Sequence, residues 1–60
     1  SHDYQPGDRV LVLDKEVRRK LDIHRGPFVI DRIHTNGTAT IQRSPTVLER
    51  INIRRLHPVR

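Results

Sequence analysis

Gly26 and Pro27 stand directly before the apolar run Phe28-Val29-Ile30, and this junction limits the fold more than any other feature of the chain. Glycine and proline interrupt regular structure, whereas β-branched and aromatic residues favour strands. Proline is tolerated at the first residue of a strand, where no ladder hydrogen bond is lost. The pattern therefore predicts a strand over residues 27–34 that starts at Pro27.

Other short segments also have the composition of strands. They are residues 8–13, 38–42, 47–53 and a short terminal strand or turn at 54–56. Residues 14–25 are polar and charged, and they predict a long loop in which Leu21 anchors the chain to the core. One or two helical turns over residues 14–21 are the alternative by propensity.

Asn36-Gly37 is a strong local signal for a tight β-hairpin. A two-residue loop would place His34 opposite Ala39. A three-residue loop over residues 35–37, with Gly37 in the left-handed conformation, places Ile33 opposite Ala39 instead. We expect the second arrangement, because it puts apolar side chains on one buried face.

The strand before this turn is expected to bend. Phe28 and Ile30 share one parity and Ile33 has the other, so a bulge near residues 31–32 is needed to turn all three inward. Five short strands, a long early loop and a tight hairpin predict an all-β fold, a small five-stranded SH3-like barrel. The expected core consists of Val10, Val12, Leu21, Phe28, Ile30, Ile33, Ala39, Ile41, Ile51, Ile53 and Leu56.

The length of 60 residues allows a single domain, which we place at residues 4–60, with residues 1–3 as a disordered or expression-derived start. There is no cysteine, so neither a disulfide nor a thiolate metal site can stabilise the fold. The histidines lack the spacing of metal ligands and are expected at the surface, those at 24 and 57 in loops. They are His2, His24, His34 and His57. We therefore expect no metal and no cofactor.

The charge balance predicts a polyanionic partner. Twelve Lys and Arg residues against seven Asp and Glu residues give a formal net charge of +5, and all but two of the basic residues are arginines. Arginine presents a planar fork of donors that suits phosphate. On an extended strand Arg50 and Arg54 would share one face while Ile51 and Ile53 take the other. The predicted nucleic-acid-binding residues are Arg18, Arg19, Lys20, Arg25, Arg43, Arg50, Arg54 and Arg55.

Aromatic residues are too few for base recognition by stacking. The chain has one tyrosine, Tyr4, and one phenylalanine, Phe28, and Phe28 is expected to be part of the core. Contacts are therefore expected with the phosphate backbone, and neutralising about four to six phosphates would give a log–log salt slope near −4 to −5. The same scarcity argues against a methyl-lysine cage and against a proline-motif groove.

Nothing in the sequence predicts an enzyme. There is no Gly-x-Ser-x-Gly nucleophile elbow, and the carboxylates are scattered. Asp14 and Glu16 could meet a cation, but a charged flank of a loop is the better interpretation. No apolar run approaches the roughly 20 residues of a membrane span.

The order of several short motifs resembles a known module. These are Gly7-Asp8-x-Val10, Lys20-Leu21, Gly26-Pro27-Phe28-x-Ile30 and Ile51-x-Ile53-x-x-Leu56-x-Pro58. Over residues 4–60 the chain is similar to the GPY/F module at the C-terminal end of integrases from gammaretroviruses and gypsy-type long-terminal-repeat retrotransposons. Gly26, Pro27 and Phe28 match the motif that names the family, and Leu56 and Pro58 match its closing residues. Ala39 departs from it, because related sequences often carry a larger residue there.

This resemblance implies an SH3-like barrel that binds duplex DNA, at the viral end or the target, with little sequence preference. It also implies contacts with other integrase subunits, a host chromatin factor as a further partner, and a nuclear location with the integration complex. The catalytic carboxylates of such integrases lie in a separate core domain, so this chain would be an accessory, non-catalytic domain.

Two other functions remain open from the sequence. The chain could be a protein–protein module for multimerisation or host-factor docking, using exposed Leu11, Val47 and Leu48 or an unpaired strand edge. An RNA- or ribosome-associated β-barrel would also explain the charge, although not the Gly26-Pro27-Phe28 motif.

Overall fold

Within the described residues the chain forms one antiparallel sheet of five strands. The computed structural model describes residues 3–16 and 21–59. The elements are β1 (Arg9–Glu16), β2 (Leu21–Ile33), β3 (Thr38–Ser44), β4 (Val47–Asn52), a 3-10 turn (Ile53–Arg55) and β5 (Leu56–Pro58). The strand order is β4-β3-β2-β1-β5. The all-β prediction is confirmed, and the sheet is compatible with a small SH3-like barrel, although it is not closed.

The β2–β3 hairpin has the predicted three-residue loop. Ile33 pairs with Ala39, and the backbone N–H of His34 donates to the carbonyl of Thr38 at 2.9 Å. Gly37 has a φ of 81°, which is the left-handed conformation that glycine adopts readily. The carbonyl of Gly37 then accepts from the backbone N–H of Ile53 at 3.0 Å, so the turn also holds the 3-10 turn in place.

The predicted bulge in β2 is also present. Ile30 pairs with Ile41 and Arg32 pairs with Thr40, so Asp31 is the extra residue between two ladder positions. Because one residue is inserted, the side chains on either side of the bulge change face relative to strict alternation. Ile30 can therefore be buried while Arg32 points outward.

The long loop predicted over residues 14–25 is wrong where the structure describes it. β1 and β2 continue as a hairpin through the pairs Asp14–Ile23, Lys15–Asp22 and Glu16–Leu21. The polar composition misled the prediction, because a hairpin arm that extends beyond the core has no apolar face to signal its strands. Residues 17–20, with the predicted DNA contacts Arg18, Arg19 and Lys20, lie outside the described residues.

Pro27 lies inside β2 rather than at its start, so that prediction is wrong as well. Val10 pairs with Phe28 and Val12 with Arg25, which leaves Leu11 facing both Gly26 and Pro27. Such a two-against-one irregularity accommodates a proline, since the ladder is already interrupted there. The Gly26–Pro27 peptide bond is cis, and Gly26 has a φ of 129°.

The core agrees with the prediction except at Leu21, which is exposed, and at Tyr4, which packs against the core although it was not expected there. The buried residues are Val10, Val12, Ile30, Ala39, Ile41, Ile51 and Leu56, and Tyr4, Phe28, Ile33 and Ile53 pack against them half-buried. Leu21 is 52% exposed. It pairs with Glu16 at the far end of the β1–β2 hairpin, where within the described chain neither β3 nor β5 extends to cover it.

Candidate nucleic-acid interface

The register of the sheet aligns arginines on the surface opposite the core. In an antiparallel sheet, directly paired residues place their side chains on the same face. One row across β2, β3 and β4 consists of Arg32, Thr40 and Arg50. The adjacent row consists of Arg9, Val29, Gln42 and Leu48. We refer to these seven residues as the outer sheet face.

The outer sheet face is basic and has no carboxylate in either row. Arg9, Arg32 and Arg50 are exposed, and none of the three forms an ion pair or a side-chain hydrogen bond within residues 3–16 and 21–59. Thr40 is held in place, since its Oγ1 lies 2.7 Å from Nε2 of His34. Three guanidinium groups and Gln42 therefore face solvent together around half-buried Thr40, an arrangement that suits a run of phosphates.

A second group of arginines is engaged within the domain. Arg43 donates to both carboxylate oxygens of Asp14, from Nη1 at 2.9 Å and from Nη2 at 3.0 Å. Arg55 also donates from Nη2 to Asp14, and its Nε donates to the carbonyl of Leu13 at 2.9 Å. Nε of Arg25 lies 3.7 Å from Oδ2 of Asp14. We call Asp14 and these three arginines the Asp14 cluster.

The Asp14 cluster contacts the periphery of the core through Arg43 and Phe28. Arg43 is the extra residue at the irregularity between Gln42 and Ser44, and its Cζ lies 4.9 Å from the ring centroid of Phe28. Its Nε also donates to Oε1 of Glu49 at 2.5 Å. Together with Glu49 the cluster thus joins β1, β2, β3, β4 and the 3-10 turn through charged groups, and Arg43 covers an aromatic ring.

These contacts shift the acid–base behaviour of the cluster. Hydrogen bonds from Arg43 lower the pKa of Asp14, and the charges of Arg43 and Arg55 act in the same direction while burial opposes them. The hydrogen bond to Asp14 raises the pKa of Arg43. The side chain of Asp14 is only 19% exposed, so its ionised form is held by the arginines rather than by water. Asp14 lies in β1, which corrects its interpretation as a flank of a charged loop.

The predicted nucleic-acid residues therefore divide by environment. Arg50 lies on the outer sheet face, whereas Arg25, Arg43 and Arg55 belong to the Asp14 cluster. Arg54 is exposed, but it does not share a strand face with Arg50. β4 ends at Asn52, whose Oδ1 accepts from the backbone N–H of Arg54 at 2.9 Å and starts the 3-10 turn. The expected parity of Arg50 and Arg54 is therefore wrong.

Two basic residues of the outer sheet face, Arg9 and Arg32, were missed by the sequence interpretation. Arg32 immediately follows the bulged residue, so its outward orientation was available from the predicted bulge near residues 31–32. Arg9 precedes the buried Val10 by one position, and strand alternation places it outward. The parity of these two arginines in their strands is the sequence signal that places them on the outer sheet face.

The described histidines lie mostly in strands rather than in loops. His24 is in β2 and His57 in β5, and their rings meet edge to face with centroids 4.8 Å apart. Nε2 of His57 is buried without a hydrogen-bond partner in the described chain. Among residues 3–16 and 21–59 no group of three or more His, Asp or Glu side chains is arranged to hold a metal ion. In that part of the chain no helix is long and apolar enough to cross a membrane.

No protein-family model matches the chain, and comparisons with curated proteins and with solved structures found no significant match. Fold and surface together define a class: a small antiparallel β-module, compatible with an SH3-like barrel, that exposes a basic sheet face.

Proposed function

We propose that this chain is a non-catalytic DNA-binding domain of a retroelement integrase. It contacts the backbone of duplex DNA with little sequence preference and supports integrase assembly for DNA integration in the nucleus. The observation that carries the proposal is the alignment of Arg9, Arg32 and Arg50 on one exposed face without a carboxylate in their rows. The likeness of Gly26-Pro27-Phe28, Leu56 and Pro58 to the GPY/F motif supports the integrase context.

The outer sheet face favours phosphate contacts over base contacts. Adjacent strands lie about 4.8 Å apart, so Arg32 and Arg50 flank Thr40 across roughly 10 Å of sheet. The face has no aromatic side chain on which a base could stack. Guanidinium groups at this separation neutralise phosphates and hold the domain on the duplex, and they carry no direct information about sequence.

The double variant Arg32→Gln/Arg50→Gln is expected to weaken DNA binding about ten- to a hundredfold, which corresponds to about 1.4–2.8 kcal/mol for the two exposed guanidinium–phosphate contacts together. Fluorescence anisotropy with two duplexes of unrelated sequence measures the loss. Because each lost phosphate contact removes about 0.9 from the log–log salt slope, the slope should become shallower by about 2. Both duplexes should be affected equally.

The matched control is Lys15→Gln/Arg25→Gln, which removes the same charge from two residues that belong to neither row of the outer sheet face. Lys15 is exposed, and Arg25 belongs to the Asp14 cluster. The control should retain most of the affinity and change the salt slope by less than about 1. If the two double variants lose affinity equally, net charge rather than the outer sheet face drives binding, and this assignment fails.

A protein–protein module is the second candidate, and the edge strand β4 favours it. Val47 and Leu48 of β4 are 49% and 57% exposed, and the outer edge of β4 is unpaired within the described sheet. Open strand edges with apolar side chains accept another strand. A dimer through β4 predicts concentration-dependent sedimentation that persists at high salt and disappears in Leu48→Asp. A chain that stays monomeric at high salt and self-associates only with DNA present contradicts this candidate.

A further inference from the structure

A groove separate from the Asp14 cluster lies between the N-terminal segment, the β2–β3 turn and the 3-10 turn. It has a volume of about 620 Å³, within the usual range of about 300–1,000 Å³ for ligand sites. Its apolar part is formed by Leu56, which is buried, and by half-buried Tyr4 and Ile53. Its rim carries Asn36, Asn52, Arg54 and His57.

At Asn36, Asn52 and Arg54 the polar rim offers donors rather than acceptors. Oδ1 of Asn52 already accepts from the backbone N–H of Arg54 at 2.9 Å, and Oδ1 of Asn36 accepts from Oγ1 of Thr38 at 2.6 Å. The amide NH₂ groups of both asparagines therefore remain to face a ligand. Arg54 is exposed and forms no side-chain hydrogen bond or ion pair within the described residues. A guanidinium and two amide donors around one opening favour an anionic acceptor.

The apolar part of the groove indicates which kind of group lies next to the anion in the ligand. Ile53 and Leu56 offer aliphatic surface. The ring of Tyr4 packs against the core, and its hydroxyl donates to the carbonyl of Leu56 at 3.0 Å. Burial raises the pKa of Tyr4, so the phenol stays protonated. A nucleic-acid base would need an exposed ring face for stacking. An aliphatic side chain fits this surface better.

We infer that the groove binds an acidic peptide segment of a partner protein, with one aliphatic side chain against Ile53 and Leu56 and a neighbouring carboxylate at Arg54 and the two asparagines. The site is independent of the outer sheet face, because Arg54 belongs to neither row of that face. A peptide and a DNA duplex could therefore be held on different surfaces of one small domain. The positive charge on the rim favours acidic partners, and the apolar part of the groove favours partners with aliphatic side chains.

The test is a titration of the isotope-labelled 60-residue chain with three capped synthetic peptides, followed by NMR. One peptide alternates Glu and Leu, the second replaces Glu with Gln, and the third replaces Leu with Ser. Only the first should shift the amide signals of Gly37, Ile53 and Arg54 strongly. Arg54→Gln should weaken its binding about tenfold, as loss of a charge-assisted contact predicts. The charge-matched Lys15→Gln should change it by less than about twofold.

Other results would overturn the inference. If the Glu and Gln peptides bind equally well, the polar rim does not recognise the carboxylate. If the Leu and Ser peptides bind equally well, the apolar part of the groove does not recognise the aliphatic side chain. Shifts confined to Arg32 and Arg50 would mean that the acidic peptide only mimics DNA on the outer sheet face. A single-stranded oligothymidylate that shifts the groove signals while no peptide does would make the groove a nucleotide site.

Discussion

Replacing Gly26 with alanine is expected to lower the free energy of unfolding by about 3 kcal/mol or more, a large part of the roughly 3–9 kcal/mol available to a domain of this size. Two effects add. The φ of 129° is unfavourable for an L-residue by about 1–3 kcal/mol. The new Cβ would also lie 2.9 Å from the carbonyl oxygen of Val10 and 3.1 Å from the backbone nitrogen of Phe28. Because both neighbours are backbone atoms of paired strands, neither can move without disturbing the ladder.

Urea or thermal unfolding followed by circular dichroism measures this loss, which corresponds to a fall in Tm of roughly 12 °C or more. Gly37→Ala is the matched control. Gly37 also has a positive φ, but a Cβ added there would meet no atom within 4 Å beyond its own chain neighbours. The control should lose only about 1–2 kcal/mol from the backbone conformation. If Gly26→Ala loses no more free energy of unfolding than Gly37→Ala, the close approach of β1 to Gly26 does not make a side chain at this position unfavourable.

Asp14→Asn is expected to lower the free energy of unfolding at neutral pH by about 2–3 kcal/mol, since it removes the charge that holds Arg43 and Arg55. The effect is large because Asp14 is mostly buried and joins several elements of the sheet. Asp22→Asn is the matched control. It removes the same charge from an exposed position on the same hairpin and should stay within about 0.5 kcal/mol of the parent.

The pH dependence of stability gives a second test of Asp14. Its pKa is lowered in the folded state, so its contribution is complete above the unfolded pKa of about 3.9 and is lost as the pH falls through the folded pKa. The parent and Asp14→Asn should therefore differ at pH 6 and converge in acid below about pH 4. A difference that stays constant down to pH 2 would mean that the carboxylate charge of Asp14 contributes nothing.

Local signals in the sequence predicted the β2–β3 hairpin in detail. Asn36-Gly37 specifies a tight turn whatever surrounds it, and the parity of Ile30 and Ile33 requires a bulge between them. The core followed from the same alternation, since apolar residues at every second position have one buried face. These features depend only on residues that are close together in the sequence, so the sequence alone is enough to predict them.

The β1–β2 hairpin was not predicted, because its far end has no such signal. Leu21 looked like an anchor in a polar segment, but anchoring requires a strand to cover it, and within the described sheet none reaches that far. The position of Pro27 was misjudged for a related reason. Its place inside β2 depends on the irregularity opposite Leu11, which arises from pairing with another strand.

The sequence by itself determined an all-β domain with a basic surface, since alternation, turn residues and an excess of arginine are properties of the chain. Only the tertiary structure decided which arginines are available to a partner. Asp14 is distant in sequence from Arg43 and Arg55 and accepts hydrogen bonds from both, whereas Arg9, Arg32 and Arg50 become neighbours through strand pairing. Charge is fixed by composition, but its pairing depends on contacts between distant residues that exist only in the folded sheet.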